Sequence, residues 1–157
     1  MYVMCFVITK ANLYDMSAIL RLEQACFSDD AWTILDIIGT LTLPEVIRYK
    51  ASSGKKLAGF AAAEIHRSEQ TGWITTLGVF PQYRKKGIGL ALLHECEADI
   101  DLPKIRLCVN TKNTEAIHLY LNAGYCEIGN WPAYYSTGCD ALVMEKHDKR
   151  KKNPPLD

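Results

Sequence analysis

Trp-Ile-Thr-Thr-Leu-Gly-Val-Phe-Pro-Gln-Tyr-Arg-Lys-Lys-Gly-Ile-Gly-Leu-Ala-Leu-Leu-His, residues Trp73 to His94, is the stretch from which the rest of the chain is read. Trp73 to Phe80 is short, apolar and rich in β-branched residues, the pattern of a buried strand. Pro81 ends it, because proline has no N–H to give to a ladder. Arg84, Lys85, Lys86, Gly87, Ile88 and Gly89 follow, and Leu90 to Glu95 are helix formers. A strand, a basic glycine loop and a helix start present backbone N–H groups and a positive dipole end to an anion. The glycines admit a bulky phosphate to the backbone, and the three cations attract it from a distance. The local chemistry is that of a pyrophosphate cradle.

Two familiar phosphate loops are excluded. A nucleotide P-loop needs a Gly-Lys-Ser/Thr ending, which neither Gly87 nor Gly89 has. A dinucleotide fingerprint needs glycine three positions after Gly89, where Leu92 stands. What remains is Arg-x-x-Gly-x-Gly after an apolar strand, with no sign of a metal site. The chain has 157 residues and a formal net charge of +0, enough for one domain and no argument for a nucleic-acid partner. No apolar run is long enough to span a membrane, and no basic region precedes the apolar N-terminal stretch. The six cysteines, Cys5, Cys26, Cys96, Cys108, Cys126 and Cys139, form no Cys-x-x-Cys pair and lie in apolar segments. They read as buried free thiols, which places the protein in the reducing cytoplasm.

Taken in order, residues 2–9 are an apolar first strand. Asn12 caps a helix that runs to about Phe27, with Asp15 in its first turn and Glu23 among its inner positions. Ser28-Asp29-Asp30 breaks this helix and caps a second over residues 31–39, with Phe27 and Trp32 flanking the corner. Aromatics at such a corner either pack it or line a substrate groove. Residues 46–51 and 57–66 are strands joined by the turn at 52–55. Gly59 and Ala61 to Ala63 announce a close neighbour on the second of these. The fourth strand is the central stretch, so strands two to four form an antiparallel meander. Residues 105–109 follow the loop helix as a fifth strand, parallel to the fourth. A helix from Asn113 to a stop at Gly124, strands at 125–129 and 141–145, and an aromatic loop Trp131-Pro132-Ala133-Tyr134-Tyr135-Ser136 complete the chain.

The block Asn-x-x-Ala-Ile-x-Leu-Tyr-x-x-x-Gly-Tyr, Asn113 to Tyr125, lies downstream of the basic loop. Together, Arg84-x-x-Gly87-x-Gly89 and this block resemble the two signatures of the GNAT superfamily of N-acetyltransferases. The resemblance runs from about residue 2 to 146. It is most similar to the N-terminal α-amine acetyltransferases, including the ribosomal-protein alanine acetyltransferases, through Glu23, Cys26-Phe27-Ser28, Trp32, Ile74 to Leu77 and Tyr134-Tyr135. The fold it implies is a mixed α/β sheet of about seven mostly antiparallel strands with four helices. Strands four and five are its one parallel pair, and they splay apart. Residues 1–146 would be a single domain and 147–157 a basic, disordered tail.

Carried over residue by residue, the resemblance implies an acetyl-CoA site. The backbone of Leu77, Gly78 and Val79 would pair with the pantetheine arm. Arg84, Lys85, Lys86, Gly87, Ile88, Gly89 and Leu90 would wrap the pyrophosphate, with Asn113 near the cofactor. Tyr120 would be the general acid for the departing thiolate, and a phenol with a pKa of about 10 is protonated at neutral pH. Phe27, Trp32, Tyr134 and Tyr135 would line the acceptor cleft. The resemblance implies no metal.

The usual base positions of the family fall on Trp73 and Cys108, and neither residue is an adequate base. Glu64, His66 and Glu23 remain as candidates. A site without a strong base favours an α-amine, with a pKa of about 8, over a lysine, which at about 10.4 is almost never neutral. The expected activity is therefore acetyl transfer from acetyl-CoA to the N-terminal α-amine of a protein or peptide, by direct attack in a ternary complex. The alternatives are a small-molecule amine acceptor (polyamine, amino acid or antibiotic) and a non-catalytic acyl-CoA-binding module. Monomer and homodimer are both compatible with the sequence.

Overall fold

The computed structural model describes residues 5–151. Seven strands form one sheet in the order β1-β2-β3-β4-β5-β7-β6. They are β1 (Val7–Lys10), β2 (Val46–Ser53), β3 (Lys56–His66), β4 (Thr71–Val79), β5 (Lys104–Asn110), β6 (Cys126–Trp131) and β7 (Ala141–His147). The helices are α1 (Met16–Phe27), α2 (Ile34–Thr42), α3 (Ile88–Asp99) and α4 (Thr114–Asn122). Residues 2–4 of the expected first strand and 152–157 of the expected tail lie outside the described residues. The mixed sheet and the four helices are those expected.

The chain divides into two compact units, residues 1–63 with 76–99, and 64–75 with 100–157. In the first, α1 and α2 bury Ile19, Leu22, Ile37 and Leu41 with Phe60 and Ala62 of β3. The small residues of β3 have the reason expected of them. A Cβ on Gly59 would stand 2.9 Å from the Gly78 carbonyl oxygen and 3.0 Å from Leu92 Cδ1, so β4 and α3 close on a strand without bulk. Helix α2 starts later than expected. Thr33, not Ser28 to Asp30, is its cap, in a reciprocal capping box with Asp36. Ser28 to Asp30 form a separate helical turn, with Ser28 at φ 48°.

In the second unit β4 and β5 run parallel, and their paired register covers Thr71–Ile74 against Lys104–Leu107. Residues 76–79 of β4 belong to the first unit. Buried Ile105, Leu107 and Val109 alternate along β5 with the more exposed Arg106, Cys108 and Asn110. The strand pairs antiparallel with β7 over its whole length, Lys104 with His147 through Asn110 with Ala141. His147 thus belongs to the sheet and not to the tail. The next residues fold back: the Asp148 N–H donates to the Pro103 carbonyl at 2.9 Å, and the Lys151 ammonium reaches the Ile100 carbonyl.

The cysteines correct one expectation. Cys96 alone among them is buried; Cys5 and Cys126 are exposed and the other three are intermediate. Cys126 opens β6, a strand at the sheet edge, and edge strands expose residues that a central strand would bury.

Candidate active site

In the first unit the basic loop makes one tight passage from β4 to α3. Lys85 takes φ 59° and Gly87 φ 78°. A Cβ on Gly87 would touch nothing, so glycine is required there by conformation and not by space. The Ala91 N–H donates back to the Gly87 carbonyl at 3.0 Å, closing the first turn of the helix. The N–H groups of Ile88, Gly89 and Leu90 therefore stand at a twelve-residue helix's free end, beside the loop cations. Arg84 is held from behind: its Nε donates to the Val79 carbonyl at 3.0 Å. Lys86 turns back to the Gln82 carbonyl at 3.1 Å and over the Tyr83 ring.

Helix α1 lies along the last residues of β4. The Cys26 thiol donates to the Val79 carbonyl at 3.4 Å. A Cβ on Gly78 would meet Cys26 Sγ at 3.3 Å and Phe27 Cε2 at 3.5 Å. One turn earlier, Glu23 is 1% exposed. Its Oε1 accepts from the Thr76 hydroxyl at 2.8 Å and its Oε2 from the Trp32 N–H at 3.4 Å. Burial raises its pKa, with the two hydrogen bonds pulling the other way. Both oxygens of this buried carboxylate are thus engaged within the first unit. Trp32 packs against the α1–α2 core.

The second unit carries the phenols. Tyr120 is 7% exposed and meets Tyr125 edge to face, with ring centroids 5.8 Å apart. Burial raises its pKa above the ordinary phenol value, and the nearby Tyr135 adds to the effect. Its hydroxyl is protonated at any physiological pH. Asn113 caps α4, its Oδ1 accepting from the Ala116 N–H at 3.1 Å. Tyr135 stacks edge to face on Tyr134 at 5.1 Å, Tyr134 on Trp131 at 5.5 Å, and Trp131 on Trp73 at 6.1 Å. Tyr134 and Trp131 are exposed. The far end of this row is anchored: the Arg106 guanidinium covers the Trp73 ring at 5.9 Å, and its Nε donates to Glu145 at 2.5 Å.

No strong base emerges at the two usual positions. Trp73 carries no titratable group, and burial pushes the Cys108 thiol up to about 11. Glu64 and His66 pair with each other at 3.3 Å, two residues apart on β3, and His66 also approaches Glu69 at 3.9 Å.

Residues 16–125 match the acetyltransferase (GNAT) family. The chain belongs to that family. Over 139 residues this acetyltransferase is 31% identical to the N-alpha-acetyltransferase RimI of Mycobacterium tuberculosis, spanning 84% of this chain and 86% of the relative. It is 25% identical over 153 residues to the N-terminal acetyltransferase A complex catalytic subunit NAA10 of Arabidopsis thaliana, 93% of this chain and 80% of that one. Its fold is shared with the ribosomal-protein-S18-alanine N-acetyltransferase from Escherichia coli at a TM-score of 0.83. The identity there is 21%, with 98% of this chain and 99% of the other superposed. The protein is an acetyl-CoA-dependent N-acetyltransferase. Among the described residues, no helix is long and apolar enough to cross a membrane.

Sequence reasoning missed Thr76, Trp131 as a stacking partner, and the Arg106–Glu145 clamp. Trp131 had a visible signal, since it opens the aromatic loop. Thr76 and Arg106 had none, because their partners are distant in sequence.

Proposed function

We propose that this acetyltransferase modifies the N-terminal α-amine of a protein or peptide, which attacks the thioester directly in a ternary complex. The observation that carries the reading is the absence of a strong base at both usual positions: Trp73 has no ionisable group and Cys108 holds its proton to about pH 11. An amine that arrives neutral then needs no base at either position. An α-amine with a pKa of about 8 readily arrives in that form at neutral pH, whereas a lysine is neutral roughly one time in a thousand. The names of the relatives, N-alpha-acetyltransferase and N-terminal acetyltransferase subunit, support the same class of acceptor.

In this reading the main chain of Leu77, Gly78 and Val79 holds the pantetheine arm of acetyl-CoA. The free N–H groups at Ile88, Gly89 and Leu90, with Gly87 and the cations Arg84, Lys85 and Lys86, hold its pyrophosphate. The donor set fits: several N–H groups and positive charge converge, and the required glycine leaves open space where a side chain would stand. Asn113 fixes the start of α4 and so the place of Tyr120 on that helix. Tyr120, kept protonated by burial, donates to the thiolate as it leaves. Phe27, Trp32, Tyr134 and Tyr135 border the acceptor.

Release of free CoA thiol, followed with a panel of Ser-, Ala- and Met-initiated peptides alongside polyamines and amino acids, tests the proposal. Turnover of peptides well above the small amines is expected. Turnover of small amines alone would overturn it.

A further inference from the structure

We propose that Glu23 is a positioning residue for the acceptor: its buried carboxylate ties the corner between α1 and α2 to β4. The inference rests on the proposed function, since it takes that corner as a border of the acceptor cleft. Two hydrogen bonds lie along one seam of the first unit, Glu23 to Thr76 and Cys26 to Val79, and Phe27 Cε2 would stand 3.5 Å from a Cβ on Gly78. Glu23 also reaches the corner itself, accepting from the Trp32 N–H at 3.4 Å. The two ends of this link differ in what else holds them. Residues 76–79 are part of a strand with β3 as its neighbour in the sheet. The corner is a short helical turn between two helices, entered through Ser28 in a positive-φ conformation.

Breaking the link therefore removes the hydrogen-bonded tie between the corner and β4, while β3 keeps the strand in place and Trp32 keeps its packing on the core. A carboxylate taken out of water is costly unless its oxygens are bonded, and here each of them is. A residue that served packing alone would be apolar at this depth. The polar link sits one residue before the Leu77 to Val79 segment assigned to the pantetheine arm. It sets the position of Phe27 and Trp32 relative to the cofactor's reactive end.

The test uses Thr76→Val, which is close to isosteric and removes only the donor, with Glu23→Gln as a second variant and Thr76→Ser to restore the hydroxyl. Steady-state kinetics with an N-terminally free peptide should show the acceptor's KM raised about three- to thirtyfold in Thr76→Val and Glu23→Gln. The KM for acetyl-CoA should stay within about twofold, and Thr76→Ser should return the acceptor's KM towards wild type. Two results would overturn the inference while wild type remains active on peptides: an unchanged acceptor KM in Thr76→Val, or both KM values rising together. A wild-type enzyme inactive on every peptide would remove the function proposal itself, and this inference with it.

Discussion

Arg84 Nε donates to the carbonyl of Val79 at 3.0 Å, so the first cation of the basic loop is fastened to the end of the strand that leads into it. Its guanidinium also approaches Cys26 Sγ at 3.8 Å. Arg84 therefore shapes the loop as much as it charges it. Its loss removes one cation and one tether but leaves the N–H groups of the helix start. Arg84→Ala should weaken CoA binding by about five- to fiftyfold. Gly87→Val, forced to φ 78°, should abolish measurable binding, because the loop must refold to accept a β-branched residue. Titration calorimetry with CoA reads both, and wild-type affinity in Gly87→Val would remove the cradle.

Tyr120→Phe deletes a hydroxyl from a ring that burial and Tyr125 already hold in place. The fold and CoA affinity should survive. Turnover should fall about ten- to a thousandfold, the range for losing a proton donor while positioning is kept. Unchanged kcat would take Tyr120 out of the mechanism.

How far the chain could be read in advance divides along one physical line. The basic loop and the block from Asn113 to Tyr125 are local: their glycines, cap and helix formers act within a few residues of each other, and both folded as read. The cap of α2 was misplaced because Ser28, Asp29 and Asp30 are all good caps, whereas Thr33 has Asp36 three residues on to complete a reciprocal capping box. Glu23 read as an inner helix position and a candidate base, without its partners, because its two donors, on Thr76 and Trp32, are brought to it by the fold. Likewise Arg106 meets Glu145 only through the pairing of β5 with β7. Long-range pairing, invisible to periodicity, accounts for the gaps at Glu23 and Arg106.

The row Trp131, Tyr134, Tyr135 makes a separate prediction about the acceptor. Tyr134 is 54% exposed, so little core is lost on truncating it. Tyr134→Ala should raise the acceptor's KM with little change in that for acetyl-CoA or in thermal stability. Tyr135→Ala, closer to Tyr120, should raise the acceptor's KM and lower kcat as well. Equal shifts in both KM values for both variants would mean that the pair only braces the loop.

Gly72 tests packing apart from chemistry. A Cβ there would lie 2.6 Å from Cγ2 of the fully buried Ile100. Gly72→Ala should cost about 1–3 kcal/mol of stability by overpacking, read by urea denaturation, with CoA affinity retained by the folded fraction. A stability change near zero would contradict the tight contact between β4 and the residue after α3.

The pH profile follows from the same groups. With the Cys108 thiol pushed up to about 11 and the Tyr120 pKa raised, neither of these two groups loses its proton between about pH 6 and 9.5. For a peptide acceptor, kcat/KM should climb with pH and level off near the acceptor's own α-amine pKa of about 8. A bend that stays fixed when the acceptor's pKa is changed would reveal an enzyme base.

The most direct measurement is the site of acetylation on one peptide offering both amines, a free N-terminus and an internal lysine. The product is read by fragment mass spectrometry, beside the same peptide with its N-terminus blocked. The account predicts acetyl on the α-amine and almost none on the blocked peptide. Acetyl on the lysine, at comparable rates in both peptides, would contradict it.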